Sequence, residues 1–191
     1  MERKLDLKDI AGYLPYGLAI LNGNESDKII GYEVKDEDEH KGEYVQIFSL
    51  FRGGLQNYTE IKNITPVLRP LSDLYRTITH SGKEIVPIVE IACIAFPALG
   101  WIPFKNDPDD RQEEWKCKHA GYDIEGNSTY INVDFTYKNG AFFAYEVGEI
   151  IKVEDQYLQF DYLNELKIDY RGLLDAGLAI DANTLESNPY K

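Results

Sequence analysis

The sequence predicts an α+β fold: an antiparallel β-meander packed against C-terminal helices, with smaller N-terminal strands and one buried central helix. Three observations lead there. Between Trp115 and Val147 apolar and polar residues alternate in three runs separated by turn residues, the pattern of half-buried antiparallel strands. Ile88 to Phe96, behind Pro87, is apolar on nearly every face, as in a helix buried on all sides. From Asp155 onward Phe160, Leu163, Leu166 and Tyr170 fall near one face of a helix.

The elements follow in order. Leu5 to Leu14 reads as a short helix stopped by Pro15. Gly17 to Leu21 reads as a strand, Asn22-Gly23-Asn24 as a turn and Lys28 to Val34 as the returning strand. The acidic run Asp36-Glu37-Asp38-Glu39 repels itself and reads as a solvated loop. Tyr44 to Phe51 is a third strand, broken by Gly53-Gly54. Pro66 and Pro70 argue against a regular element through Ile61 to Leu71. Tyr75 to Thr79 and Glu84 to Val86 form a small hairpin around His80-Ser81-Gly82-Lys83. Pro87 opens the central helix, where its missing N–H is harmless, and Pro97 ends it.

The meander runs over Trp115 to Ile124, Thr129 to Tyr137 and Ala141 to Val147. Lys138-Asn139-Gly140 allows two registers. A two-residue Asn-Gly turn pairs Tyr137 with Phe142 and mixes apolar with polar positions. A three-residue loop pairs Tyr137 with Ala141 and Phe135 with Phe143, keeping Ile131, Val133, Phe135 and Tyr137 on one apolar face with Ala141, Phe143, Tyr145 and Val147. Since a one-residue slip flips every side chain, the pattern selects the three-residue loop. In the last quarter Asp155 caps a helix running to about Lys167, Asp169 to Ala176 forms a second helix ended by Gly177, Leu178 to Ile180 is extended, and residues 183–191 form a loose tail.

A chain of 191 residues fits a single domain, domains commonly having about 100–200. A division into subdomains 1–74 and 75–191 is the alternative. Aromatic residues make up 13%, with 14 tyrosines against one methionine, a globular composition. The net charge of -13 disfavours direct binding to nucleic acid or anionic membranes. It permits a protein partner or self-association, and it permits imitation of nucleic acid. Cys93 and Cys117 lie in unlike patterns and form no disulfide framework. With no apolar leader at Met1 to Asp6 and no run near the roughly 20 apolar residues of a membrane span, a cytoplasmic location is expected.

Most motifs that carry chemistry are missing from the sequence. Cys117 and His119 are two apart on a strand, half of a zinc site, but no CxxC, HxH or HExxH supplies the rest. Asp36, Asp38 and His40 have alternate spacing, yet His40 and Lys41 stand where a calcium loop needs Asp/Asn and glycine. Asp107 to Asp110 also lacks the glycine. Neither GxSxG nor a phosphate loop is present. Lys62, Arg69, Arg76 and Lys83 make a modestly basic segment, while Phe135, Phe143 and Tyr145 are better explained as core than as base-stacking platforms. No catalytic, cofactor or metal residues are assigned, and no cofactor is expected. One segment stands out: Phe96 to Phe104 is apolar, rich in proline and glycine, and follows neither helical nor strand periodicity. Such a loop is buried in its own domain or in a partner, which makes Leu99, Trp101, Ile102 and Phe104 the candidate interface.

Three stretches carry a resemblance: Leu14-Pro15-Tyr16-Gly17-Leu18, the run Pro66-Val67-Leu68-Arg69-Pro70-Leu71-Ser72-Asp73-Leu74, and Gly172 to Asp181. With them the chain resembles, end to end, a group of short uncharacterised proteins from phages and prophages of gut Bacteroidetes. That resemblance implies a bacterial cytoplasm and an accessory role in phage replication or prophage life; it brings no activity and no site residues. The leading expectation is a non-enzymatic accessory or protein-interaction protein of a phage-like element. The alternatives are an acidic mimic or inhibitor of a nucleic-acid-binding protein, and a small enzyme whose site is assembled from distant residues. A concave pocket gathering His119, Cys117 or Arg69 would favour the last.

Overall fold

A computed structural model describes residues 3–22, 25–37, 42–50, 56–96, 101–104, 115–122, 128–146, 149–151, 153 and 155–191. The chain forms two compact units, Met1–Leu71 with Leu163–Lys191, and Ser72–Tyr162. The first unit is thus discontinuous in sequence, unlike the division at 74/75.

The first unit begins with α1 (Leu7–Ile10), which passes into a 3₁₀ helix over Ala11–Tyr16. Pro15 sits inside that tighter helix, and Gly17, at φ 71°, ends it. Strands β1 (Ala19–Asn22), β2 (Glu25–Glu37), β3 (Gly42–Leu50) and β4 (Gln56–Glu60) then run antiparallel. Pairing of β2 with β3 shifts between Ile29 and Gly31, a bulge that leaves Ile30 exposed. Next comes β5 (Thr65–Leu68). The expectation that Pro66 forbids a strand here is corrected. Pro66 pairs with Ile20 of β1, and the strand on the other side of β5 reaches only Val67 and Leu68, so the proline sits where that flank carries no ladder.

The second unit opens with the hairpin expected from the sequence, β6 (Ile78–His80) and β7 (Lys83–Ile85), around Ser81-Gly82 at φ 50° and 75°. Pro87 is the first residue of α2 (Pro87–Ala95), which buries Ile88, Val89, Ile91 and Ala92. Five antiparallel strands follow: β8 (Trp101–Phe104), β9 (Trp115–Tyr122), β10 (Ser128–Lys138), β11 (Ala141–Glu146) and β12 (Glu149–Ile151), in spatial order β12-β11-β10-β9-β8. The meander is therefore flanked by two further strands.

Its register corrects the expected one. Tyr137 pairs with Phe142 and Lys138 with Ala141 across a two-residue turn, Asn139 at φ 52° and Gly140 at φ 80°. Positive φ at both central residues marks the turn whose twist matches a hairpin, and Asn-Gly is the pair best able to adopt it. One face then carries Phe135, Tyr137, Phe142 and Ala144; Phe135 and Ala144 are fully buried. The opposite face is not purely polar: Phe143 and Tyr145 lie there half-buried, their rings stacked at 6.3 Å. Phe96 meets Phe135 edge-on at 6.3 Å, and Phe160 meets Phe142 at 5.6 Å.

Phe160 belongs to α3 (Tyr157–Leu166), which begins in the second unit and ends in the first. The tail beyond it departs from expectation twice. Asp169 to Ala176 is not helical, because the buried Asp169 carboxylate accepts the backbone N–H groups of Arg171, Leu173 and Leu174 and holds them in a turn. Residues 183–191 are anchored: the Tyr190 hydroxyl donates to Val67 O at 2.7 Å and accepts from Ala19 N at 3.1 Å. Between them β13 (Ile180–Asp181) runs parallel to β5, completing the order β13-β5-β1-β2-β3-β4. The α+β class holds, but the five N-terminal strands build, with β13, a sheet of six, more than the minor element expected. Tyr13, Ile10, Leu18, Ile20 and Leu68 form its core.

Candidate functional site

Three of the four residues proposed from sequence as an interface fall on one edge of the five-stranded sheet. Leu99 lies outside the described residues, as do the acidic loop 107–110, Asp38 to His40 and Gly53-Gly54. Trp101, Ile102 and Phe104 belong to β8, so the expectation of an aperiodic loop is corrected for them. Trp101 pairs with His119, Ile102 with Lys118, Pro103 with Cys117 and Phe104 with Lys116. Among the described residues β8 pairs with β9 alone. Pro103 fits an edge, where a missing N–H need not interrupt two ladders. At the other edge, in the same unit, Ile150 of β12 is 67% exposed, and Tyr157 and Leu158 at the start of α3 are 72% and 51% exposed. The sequence reading missed these three.

Cys117 and His119 occupy alternate positions of β9, as expected. Among the described residues no group of three or more His, Cys, Asp or Glu side chains could hold a metal ion. Cys93 is half-buried, and burial followed by the nearby Glu90 carboxylate pushes its thiol up, away from a reactive thiolate.

The first unit contains an open cleft of about 370 Å³, lined by Arg3, Lys4, Lys62, Asn63 and Thr65 with Leu178 and Gly177. Arg3 donates to Asp9 at 2.8 Å, and Lys62 pairs with Glu60, so much of the cleft's charge is neutralised locally. His119, Cys117 and Arg69 are not among its lining residues.

Arg69 lies elsewhere in that unit, in a denser cationic group. It is 2% exposed, Nη2 donates to Tyr190 O at 3.0 Å, and the guanidinium carbon sits 5.7 Å from the Tyr190 ring centroid. Backbone bonds fix its neighbour: Arg69 N donates to Lys167 O, and Asp169 N donates to Arg69 O, both at 2.8 Å. The Lys167 ammonium lies 5.8 Å from the Tyr16 ring centroid and 5.6 Å from that of Tyr190, and donates to Glu165 O at 2.6 Å. Lys28 crosses Gly17 so closely that a Cβ there would stand 2.0 Å from its Cε. Burial, and then Lys28 and Arg69, bring the Lys167 amine down to about 8, partly opposed by Glu165.

Of this group the sequence reading had singled out only Arg69, as part of a basic segment. Tyr16 appeared there only within the stretch Leu14 to Leu18, Gly17 in that stretch and as a strand bound, and Lys28 and Lys167 only as strand and helix bounds. No helix among the described residues is long and apolar enough to cross a membrane. The chain matches no family model, no curated protein and no solved structure.

Proposed function

We propose that this chain is a non-enzymatic accessory protein of a phage-like element that works in the bacterial cytoplasm by binding a protein partner along β8. The observation that supports this reading is the coincidence of an apolar, aromatic-rich segment with a sheet edge. A terminal strand presents unpaired backbone N–H and C=O groups on one side, and an extended segment of a partner adds to it as a further strand. The backbone bonds supply affinity, while Trp101, Ile102 and Phe104 supply apolar contact of the kind that anchors interfaces. The accessory setting rests on the resemblance carried by Leu14 to Leu18, Pro66 to Leu74 and Gly172 to Asp181.

Purification from the native host, followed by size exclusion with light scattering, tests the proposal. The double variant Trp101→Asp, Phe104→Asp is compared with the wild type, with circular dichroism as a check on folding. The wild type is expected to elute with a stoichiometric protein partner or as a self-associated species, and the double variant as a folded single chain. A partner-free wild-type monomer, or an unfolded double variant, would refute the reading.

A further inference from the structure

We propose that the first unit carries a recognition socket for the phenol of a tyrosine in an extended peptide, and that residues 185–191 are a detachable strap that fills it within the same chain. Two strands that stop short make the socket. β1 and β5 pair at Leu21 with Thr65 and at Ile20 with Pro66. At the next rung the Tyr190 hydroxyl stands between the strands, accepting from Ala19 N at 3.1 Å and donating to Val67 O at 2.7 Å. The gap requires one atom that both accepts and donates, and a phenol supplies it on a ring. Cations face that ring: the Arg69 guanidinium carbon lies 5.7 Å and the Lys167 ammonium 5.6 Å from its centroid. Arg69 Nη2 also donates to Tyr190 O at 3.0 Å, holding the main chain of the bound residue. The apolar floor is Ala19, Val67 and Ala182, all buried, with Leu21 and Leu185 packed against them.

The strap is attached at one residue. Among the described residues, the hydrogen bonds that tie 186–191 to the rest of the chain all pass through Tyr190. Its end is folded on itself: Tyr190 N donates to Asn188 Oδ1 at 2.9 Å, across Pro189, and Lys191 N donates to Asn188 O at 3.4 Å. Proline fixes its own φ and keeps the preceding residue extended, so a preformed turn presents the tyrosine without any ladder. One donor is left over, since Asn188 Nδ2 is buried without an acceptor, a cost that release into water removes. The chain before the strap is closed separately. Asn183 N donates to Asp181 Oδ1 and Thr184 Oγ1 to Asp181 O, both at 2.8 Å, around the 3₁₀ turn Ala182–Thr184. Residues 185–191 can therefore swing away while that turn stays in place. A tethered segment acts at an effective concentration of about millimolar. It keeps the socket closed to weak ligands and yields to a tyrosine-bearing segment that binds with further contacts.

Hydrogen exchange on the native full chain tests whether the strap opens alone. The Ala19 amide is bonded to the strap, whereas the Ile29 amide is bonded to Leu18 O at 2.9 Å. Ala19 is expected to exchange at least about tenfold faster than Ile29. The isotope-labelled full-chain variant Tyr190→Ala is then titrated with a synthetic peptide of residues 185–191 and followed by NMR. A saturable shift is expected at the Ala19 amide. Affinity should be about tenfold lower for the same peptide with phenylalanine in place of its tyrosine, which cannot satisfy Ala19 N or Val67 O. The wild type should need about tenfold more peptide, because its own strap competes. Equal exchange at Ala19 and Ile29, or a Tyr190→Ala variant that does not fold, would make the segment an integral part of the sheet and overturn the proposal. So would a folded variant without a saturable shift, a phenylalanine peptide that binds as well, or a wild type that binds the peptide as tightly as the variant.

Discussion

Replacing Gln156 with alanine should destabilise the second unit by about 2 kcal/mol. Phe142 N donates to Gln156 Oε1 at 3.0 Å, and Gln156 Nε2 donates to Phe142 O at 3.2 Å. Phe142 is 1% exposed. The side-chain amide thus does for Phe142 what a neighbouring strand would do, since β12 reaches β11 only from Ala144 to Glu146. Alanine leaves one buried N–H and one buried C=O without partners, each costing roughly 1–3 kcal/mol. Against this, freeing a glutamine side chain returns up to about 1.5–2 kcal/mol of rotamer entropy, and the difference is the magnitude predicted. Urea denaturation, with hydrogen exchange at the Phe142 amide, measures it. Gln156→Glu serves as a control: the carboxylate still accepts from Phe142 N but repels Phe142 O, which raises its pKa. Its stability should therefore recover as the pH falls through that raised pKa, and the recovery should be complete once the pH is below the usual carboxylate pKa. A change below about 0.5 kcal/mol in Gln156→Ala, with unchanged exchange at Phe142, would refute the reasoning.

Further outcomes are expected elsewhere. Gly140→Ala should cost about 1–2 kcal/mol by chemical denaturation through backbone strain alone, since φ is 80° and no atom lies within 4 Å of the added Cβ; Gly140→Asn should cost less. Asp169→Ala removes the acceptor of the N–H groups of Arg171, Leu173 and Leu174, and should lower stability by about 3 kcal/mol on urea titration. Tyr190→Phe should lower it by about 1–2 kcal/mol and speed exchange at the Ala19 amide. Lys167→Met should flatten the pH dependence of stability. In the wild type the amine is brought from 10.5 to about 8, so between those values the unfolded chain holds more protons and stability rises with pH. The penalty for its charge is fully present below about pH 8. The slope should stay under about 1.4 kcal/mol per pH unit, and denaturant midpoints from pH 7 to 9.5 measure it.

The α+β class was legible because the three meander strands alternate, α2 is apolar on nearly every face behind Pro87, and Ser81-Gly82 marks the turn between β6 and β7. Register was less legible. The alternation in β10 and β11 selects the three-residue loop only if one face must be wholly apolar. In the fold Phe143 and Tyr145 sit half-buried on the second face, and the backbone demands of Asn139-Gly140 prevail. Pro66 misled for a related reason: a proline excludes a strand only where both flanks must be paired. The second C-terminal helix was lost to Asp169, whose carboxylate competes for the same N–H groups a helix would use. The cationic group was invisible along the chain, since Tyr16, Lys28, Arg69, Lys167 and Tyr190 come from separate stretches and obey no common period.

One compositional feature does acquire a structural meaning. The sequence is rich in tyrosine, and at two places a tyrosine hydroxyl completes a β-ladder where strands stop. Tyr190 bridges Ala19 N and Val67 O, the next rung beyond the pairing of Ile20 with Pro66. Tyr75 accepts from Tyr137 N at 3.1 Å and donates to Tyr137 O at 3.4 Å, beyond the point where β9 ceases to pair with β10 at Phe135. A hydroxyl both donates and accepts, so one atom can satisfy an N–H and a C=O that a missing strand leaves behind, while its ring fills apolar space. Methionine could fill the space but not satisfy the backbone. Short or interrupted strands therefore remain compatible with a buried sheet only when such side chains stand at their ends. The Tyr190 ring also meets Arg69 and Lys167, so the contact that ties down the C-terminal segment and the packing of these two cations depend on the same residue.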